Sequence, residues 1–147
     1  MMSADQSKPA VPKEGGVFKT IIPIRWGDMD AFGHVNNCVY FRYVEEARAQ
    51  CFDVENIFVP RYRAPVLVHA SMDFINPVRY PASVRVALTL TRVGNASLTF
   101  DVLIESMEEP RVPYAKGKNI VVVTDQQTGK SSPLKVNELE HLARFFV

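Results

Sequence analysis

The sequence predicts an α+β fold in which one long helix packs against an antiparallel sheet of about five strands. Two observations support this prediction. Apolar residues recur near helical spacing in one long segment, Val39–Cys51. After this segment, apolar and polar residues alternate with a period of two, in stretches that are separated by turn residues. One helix covers only one face of such a sheet, so we expect the protein to associate with a second subunit.

The predicted elements follow one another as a strand, the long helix and four more strands. Residues 1–16 are polar and interrupted by Pro and Gly, which predicts a flexible leader ahead of a single domain over 17–147. The predicted strands cover Val17–Trp26, Val66–Ile75, Val84–Thr91, Ala96–Ile104 and Tyr114–Thr124.

Three local patterns place the ends of these elements. Asn36 or Asn37 can cap the long helix, which therefore begins at one of them. Gly94 and Asn95 tolerate a positive φ, which predicts a hairpin turn. A short C-terminal helix is predicted with Asn137 and Glu140 as its capping box. In Val66–Ile75 the even-numbered residues are apolar, so we expect them to share one face: Val66, Val68, Ala70, Met72 and Phe74.

Composition excludes several classes of protein. The 147 residues suit one domain, and 17 Lys and Arg against 16 Asp and Glu argue against a general nucleic-acid binder. No apolar run is long enough for a transmembrane helix, and the N-terminus does not resemble a secretion signal. The two cysteines, Cys38 and Cys51, are too few for a disulfide framework. We therefore expect a cytoplasmic protein with no membrane partner.

The loop before the long helix contains the side chains with the most chemistry. It holds two carboxylates and a histidine, in the order Arg25-Trp26-Gly27-Asp28-Met29-Asp30-Ala31-Phe32-Gly33-His34-Val35-Asn36-Asn37. A helix N-terminus offers unpaired N–H groups and a partial positive charge, which can hold a developing oxyanion. A neighbouring carboxylate can act as a general base or a nucleophile. The alternative is that these residues only form turns and cap the helix.

This stretch, continued to Arg48, resembles the hotdog-fold acyl-CoA thioesterases of the 4-hydroxybenzoyl-CoA thioesterase family. The family pattern is roughly D-x-D-x-x-G-H-V-N-N-x-x-Y-x-x-Y-x-E-x-A-R. It is matched here by Asp28, Asp30, Gly33, His34, Val35, Asn36, Asn37, Tyr40, Tyr43, Glu45, Ala47 and Arg48. The resemblance implies a hotdog fold, with a long helix wrapped by the sheet. It also implies a dimer with active sites at its interface, often paired into a homotetramer.

The resemblance also implies roles for individual residues. Asp30 matches the catalytic carboxylate, and the backbone N–H that polarises the thioester carbonyl maps to Asn37, with Gly33 and His34 as neighbours. Asp28 is expected to order the loop. His34 is either a hydrogen-bonded loop residue or a proton-transfer group.

Substrate contacts are expected at two places. Near the thioester they are Asn36, as a cap or a ligand, and Tyr40. For the coenzyme A phosphates we expect the glycine turn to contribute Arg92, Gly94, Asn95 and Ser97. Other basic candidates remain open, namely Arg61, Arg63, Arg111, Lys116 and Lys118. The acyl pocket is equally open, because its candidates are also good core residues: Phe32, Tyr40, Tyr43, Val66 and Val68.

The sequence therefore predicts an acyl-CoA thioesterase that releases a carboxylic acid and coenzyme A. Two alternatives stay open: a hydratase or dehydratase that acts on acyl thioesters, and a non-catalytic protein that binds them. No cofactor is expected besides the coenzyme A of the substrate. No metal is expected either, because His34, His69 and His141 have no ligand spacing. The identity of the acyl group stays open, and its carrier is either coenzyme A or an acyl carrier protein. Asp30 is either a nucleophile or a general base.

Overall fold

The computed structural model describes residues 10–52, 57–58 and 62–147. Its helices and strands are β1 (Val17–Pro23), α1 (Asn37–Phe52), β2 (Arg63–Phe74), β3 (Ser83–Val93), β4 (Ser97–Ser106), β5 (Pro113–Asp125), β6 (Lys130–Ser131) and α2 (Val136–Leu142). The strands form one antiparallel sheet in the order β1-β3-β4-β5-β2, and the short β6 pairs with β5. The predicted α+β architecture and order of elements are confirmed, with β6 as an addition.

Helix α1 begins where the sequence predicts. The Oδ1 atom of Asn36 accepts the backbone N–H of Cys38 at 2.9 Å, so Asn36 is the N-cap and Asn37 the first helical residue. One face of α1 is buried against the sheet, through Tyr40, Tyr43, Val44, Ala47, Cys51 and Phe52. Neither of the helices in the described part of the chain is long and apolar enough to span a membrane.

The inner face of the sheet is built by strict alternation in β3 and β4. Because opposite residues of antiparallel strands point to the same face, the even-numbered residues of both strands meet the helix together. They are buried, namely Val84, Val86, Leu88, Leu90, Leu98, Phe100, Val102 and Ile104. The predicted alternation of these two strands is therefore confirmed.

Strand β2 departs from the predicted alternation at a β-bulge. Its ladder with β5 shifts just after Leu67, where Val68 is the extra residue. Leu67 lies opposite the buried Val121 and so faces α1, and Ala70 faces α1 again beyond the bulge. Val66 lies on the opposite face from both. The prediction that the even-numbered residues of this strand share one face is wrong, because one inserted residue reverses the alternation.

The outer edge of β2 is unpaired within the described residues, since β2 is the last strand of the sheet. This strand is 12 residues long. Along and just beyond it, large apolar side chains are exposed, namely Val66, Leu67, Val68, Phe74 and Ile75. A long apolar edge strand presents a row of backbone N–H and C=O groups that can pair with another chain.

The β3–β4 hairpin turns at Gly94 and Asn95 as predicted, but for a different reason. Gly94 does not have a positive φ. A Cβ atom at this position would instead lie 2.4 Å from the Oγ atom of Ser97. Glycine therefore leaves room for the Ser97 side chain, which a larger residue would force to another rotamer.

The predicted leader is partly bound to the domain. Residues 1–9 lie outside the described residues. Further along, the N–H of Gly15 donates to the carbonyl of Leu90 at 2.6 Å, and the carbonyl of Gly16 accepts the N–H of Leu90 at 2.9 Å. Hydrogen bonding to β3 therefore starts before Val17, where the sequence analysis placed the beginning of the domain.

A buried ion pair holds α2 to the start of β2. The guanidinium of Arg63 donates to both carboxylate oxygens of Glu138, at 3.0 and 2.7 Å. The same carboxylate accepts the backbone N–H of Lys135 at 2.8 Å and so caps α2. The predicted capping box of Asn137 and Glu140 is therefore wrong by two residues, because the glutamate that caps the helix is the one that also meets Arg63.

Removing this carboxylate should destabilise the fold. Glu138→Ala leaves the guanidinium of Arg63 buried without its partner, so we expect the free energy of unfolding in urea to fall by about 3–5 kcal/mol. Glu140→Ala is the matched control, because Glu140 is exposed on the same helix; its effect should stay within about 0.5 kcal/mol. Equal urea midpoints for Glu138→Ala and the wild type would contradict this assignment.

Candidate active site

Asp28 anchors the loop that precedes α1. Its Oδ2 atom accepts the backbone N–H of Arg25 at 2.9 Å and the hydroxyl of Tyr43 at 2.7 Å. Its carbonyl accepts the N–H of Asn36 at 2.9 Å. These bonds tie the loop to the cap of the helix and to its second turn. Asp28 therefore orders the loop, which is the role the sequence analysis expected.

Tyr43 is a part of this anchor and also lines a pocket of about 380 Å³ between β1 and α1. It is 5% exposed and lies in the hydrophobic core. Burial raises the pKa of its hydroxyl, and the hydrogen bond to Asp28 raises it further. Tyr43 therefore keeps its proton at neutral pH, and its hydroxyl is the donor in the hydrogen bond to Asp28.

Asp30 is held by a tight turn. Its N–H donates to the carbonyl of His34 at 2.8 Å, and its carbonyl accepts the N–H of Gly33 at 3.0 Å. Gly33 has a φ of 75°, a left-handed conformation that favours glycine. The Oδ1 atom of Asp30 accepts the N–H of Phe32 at 2.9 Å, which fixes the carboxylate. Gly33 thus shapes the turn that carries Asp30.

The turn and the start of α1 share one cleft of about 220 Å³. Four residues of the predicted site line this cleft, namely Asp30, His34, Asn37 and Tyr40. Asn37 is the first residue of α1, and its N–H donates to no acceptor within the described part of the chain. The structure therefore brings a carboxylate, an imidazole and the N-terminus of α1 together at one cleft.

Asn36 and Tyr40 support this cleft in different ways. The Oδ1 atom of Asn36 is engaged in the cap, so the structure favours the cap over the ligand for that atom. Tyr40 is buried, which raises the pKa of its hydroxyl. Its ring packs edge-on against Phe74 at a centroid distance of 5.1 Å. Tyr40 therefore joins the helix to the end of β2 on the floor of the cleft.

The second wall of the cleft was not found from the sequence. It consists of the end of β2 and the residues after it, Phe74, Ile75, Asn76 and Pro77. The side-chain amide of Asn76 donates to the carbonyl of Pro113 at 2.8 Å and fixes this segment. The Asn-Pro pair after a strand was the available signal, but it indicates a turn and not which loop lies opposite.

The remaining predicted substrate contacts lie elsewhere, namely Arg92, Gly94, Asn95 and Ser97. In the ladders, Ile104 pairs with Ala115, which pairs with Phe74 at the cleft, whereas Ser97 begins the same strand at its other end. At roughly 3.3 Å per residue, Ser97 and Ile104 are about 23 Å apart. The hairpin therefore does not reach the Asp30 cleft of its own subunit.

The other basic candidates differ in their surroundings. Arg63 is buried in the ion pair with Glu138, so it is unavailable to a phosphate and that candidate is wrong. Arg111 pairs with Glu109 at 3.2 Å. Arg61 lies outside the described residues. Within the described residues, no group of three or more His, Cys, Asp or Glu side chains is arranged to hold a metal ion.

A helix wrapped by an antiparallel sheet, with a carboxylate at the helix N-terminus, defines the class of small α+β hotdog proteins. Residues 24–146 match the sequence profile of the thioesterase-like superfamily, and the chain belongs to this superfamily.

Solved structures agree with this assignment. The PA2801 protein of Pseudomonas aeruginosa, a thioesterase candidate, is 35% identical, with a TM-score of 0.75 over 80% of this chain and 92% of that one. XC229 of Xanthomonas campestris, an acyl-CoA thioesterase candidate, is 38% identical, with a TM-score of 0.65 over 77% and 97%. Slr0204, a 1,4-dihydroxy-2-naphthoyl-CoA thioesterase from Synechocystis, is 23% identical, with a TM-score of 0.78 over 86% and 96%, and supports the fold alone.

The Asp28–Tyr43 hydrogen bond should appear as a coupling in a double-mutant cycle. Asp28→Ala leaves a buried hydroxyl without an acceptor, so we expect the free energy of unfolding to fall by about 1–3 kcal/mol. Tyr43→Phe should cost less in the Asp28→Ala background than in the wild type, by at least about 0.5 kcal/mol. Strictly additive effects in urea unfolding would show that the bond does not anchor the loop.

Proposed function

We propose that the protein is an acyl-CoA thioesterase, which hydrolyses a thioester to a carboxylic acid and coenzyme A. The observation that carries the proposal is the cleft in which the Asp30 carboxylate lies beside the unpaired N-terminus of α1. Membership of the thioesterase-like superfamily supports the same reaction. The proposed reaction needs no cofactor besides the coenzyme A of the substrate.

In the proposed mechanism, the N-terminus of α1 polarises the thioester carbonyl. The N–H of Asn37 donates to the carbonyl oxygen, and the dipole of the 16-residue helix favours the negative charge that develops there. The loss of a single donor of this kind costs about 3–4 kcal/mol in other acyl-transfer sites. No strong general acid is required, because the coenzyme A thiolate is a good leaving group.

Asp30 supplies the attack on the carbonyl carbon. Its Oδ1 atom accepts the N–H of Phe32, which leaves its Oδ2 atom available for the reaction. Asp30 either attacks the carbon itself, expelling the thiolate and forming an anhydride that water hydrolyses, or removes a proton from the attacking water. His34 lines the same cleft, either as a proton-transfer group or as a residue that shapes the turn.

We further propose that two subunits pair along their β2 edges. A strand that pairs with its own copy about a two-fold axis does so in the antiparallel direction. The Phe74 end of one strand then lies beside the start of β2 of the partner subunit. The same reversal places the β3–β4 hairpin of the partner subunit at the end of the joint sheet that holds the Asp30 cleft. A homotetramer would consist of two such dimers.

Asp30→Asn tests the catalytic carboxylate. Asparagine keeps an acceptor for the N–H of Phe32 but cannot act as a base or nucleophile, so we expect kcat/KM for acyl-CoA to fall by about 10²–10⁴-fold with unchanged unfolding. Asp101→Asn, on the outer face of the sheet, is the matched control and should leave the rate unchanged.

The products separate the competing functions in the same assay. Release of free thiol together with the carboxylic acid indicates hydrolysis. Gain or loss of water without thiol release would indicate a hydratase or dehydratase, and binding without turnover would indicate a carrier or sensor. Thiol release by Asp30→Asn at the wild-type rate would exclude Asp30 as the catalytic group.

Light scattering tests the β2 interface. We expect the wild type to have twice or four times the monomer mass at micromolar concentration. Val68→Glu places like charges on the paired edges and should raise the dissociation constant by roughly tenfold or more, which corresponds to about 1.4 kcal/mol. Val11→Glu, at an exposed site away from this strand, should change nothing. A fully active wild-type monomer would refute the interface.

A further inference from the structure

A second cavity, of about 160 Å³, lies beneath the C-terminal half of α1 and beside the edge of β2. Its walls are largely apolar and include Phe52, Leu67 and Val121. Two charged side chains, Glu45 and Arg48, also line it. A charged group in an apolar cavity is costly unless a partner compensates it, so the surroundings of these two side chains indicate what the cavity can bind.

Arg48 has few partners for its charge. Its Nη1 atom donates to the Oδ1 atom of Asn119 at 2.5 Å, and within the described residues no carboxylate lies within 4 Å of the guanidinium. Glu45 instead pairs with Arg42 at 3.4 Å. Arg48 is half-buried, and this burial lowers the pKa of its guanidinium, while the charge of Glu45 opposes the shift. Four of its five N–H donors remain for another acceptor.

Asn119 holds the guanidinium of Arg48 at the inner face of the sheet. It is 1% exposed and occupies an inward-facing position of β5, where its neighbours in register are Phe100 and Ala70. Its side-chain N–H donates to the carbonyl of Lys118 at 3.0 Å, which leaves its oxygen to accept from Arg48. A buried amide in an apolar row needs a specific partner, and here that partner is Arg48, which itself lines the cavity.

The cavity lies at the far end of α1 from the Asp30 cleft of the same subunit. Helix α1 runs antiparallel to β2, since Tyr40 packs against Phe74 and Phe52 lies beside Leu67. At about 1.5 Å per residue, Asn37 and Arg48 are roughly 16 Å apart along the helix. In the proposed dimer the direction of β2 is reversed, so the cavity of one subunit opens beside the cleft of the other.

We propose that Arg48 binds a carboxylate at the distal end of the acyl group, so that the substrates are coenzyme A monothioesters of dicarboxylic acids. This inference rests on the proposed thioesterase function. The thioester carbonyl lies at the Asp30 cleft of one subunit, and the methylene chain runs along the apolar walls to Arg48 of the partner subunit. A carboxylate can accept two parallel N–H bonds from the guanidinium, which no protein carboxylate among the described residues does.

Pairs of substrates of equal chain length test the inference: succinyl-CoA with butyryl-CoA, adipoyl-CoA with hexanoyl-CoA, and suberoyl-CoA with octanoyl-CoA. We expect the wild type to hydrolyse at least one dicarboxylic member faster than its plain partner. Arg48→Met should lower kcat/KM for that substrate by about 10- to 100-fold, the range for charged hydrogen bonds, and should spare the plain acyl-CoA. The kcat/KM of Arg48→Lys for that substrate should lie between those of the wild type and Arg48→Met, because lysine keeps the charge but not the paired donors.

Arg42→Met is the matched control, because it removes an exposed arginine from the same helix and should leave the ratio of the two rates unchanged. Equal losses on both members of a pair would show that Arg48 only supports the fold. Preference for the plain acyl chains would overturn the inference while leaving the thioesterase function intact.

If no acyl-CoA is hydrolysed, the proposed function fails. Calorimetric affinities of adipoyl-CoA and hexanoyl-CoA for the wild type and Arg48→Met then decide whether Arg48 binds the carboxylate.

Discussion

The burial of one face of α1 in the concave sheet is the constraint on which the site depends. The inner rows of β3 and β4 are filled by aliphatic and aromatic side chains such as Leu88 and Phe100, which leaves no space for the helix to shift or rotate. The helix must therefore emerge at one end of the sheet with its N-terminus free. The loop that connects it to β1 closes over that end, and Asp28 fixes the loop through Tyr43 on the buried face. The position of Asp30 is thus a consequence of core packing that takes place several residues away.

The same constraint explains why the edge of the sheet and the cavities occur together. Helix α1 lies closest to β3 and β1 and does not cover the full width of the sheet, so the seam between α1 and β2 stays open. At one end of this seam Phe74 closes the Asp30 cleft, and near the other Arg48 and Asn119 bring polar groups into an apolar surface. In a single subunit, both the Asp30 cleft and the Arg48–Asn119 pair lie along this open seam. Both become useful if a second subunit covers the seam, which is the arrangement we propose.

Local sequence patterns predicted much of the fold and of the site. The start of α1, the alternation in β3 and β4 and the turn at Gly94 depend on residues close together in the chain, and all are confirmed. The bulge at Val68 was not predictable, because it exists only in the pairing of β2 with β5. The cap of α2 was misplaced for a similar reason: Glu138 is selected by Arg63, which is 75 residues earlier. Pairings between distant segments leave no periodic signal in the sequence.

The motif contains two carboxylates only two positions apart, and the structure gives them different surroundings. Asp28 accepts three hydrogen bonds through its carboxylate and carbonyl, and one of the donors is the buried hydroxyl of Tyr43. A carboxylate with such partners is held in place and has little freedom to attack a substrate. Asp30 is exposed, is fixed by a turn of its own through Gly33, and engages one oxygen with the N–H of Phe32. Among the described residues each carboxylate has one oxygen without a hydrogen bond, but only Asp30 lines the cleft at the N-terminus of α1. The division follows from the backbone, since Asp28 ends a short 3-10 helix (Trp26–Asp28) and Asp30 begins the turn that Gly33 closes.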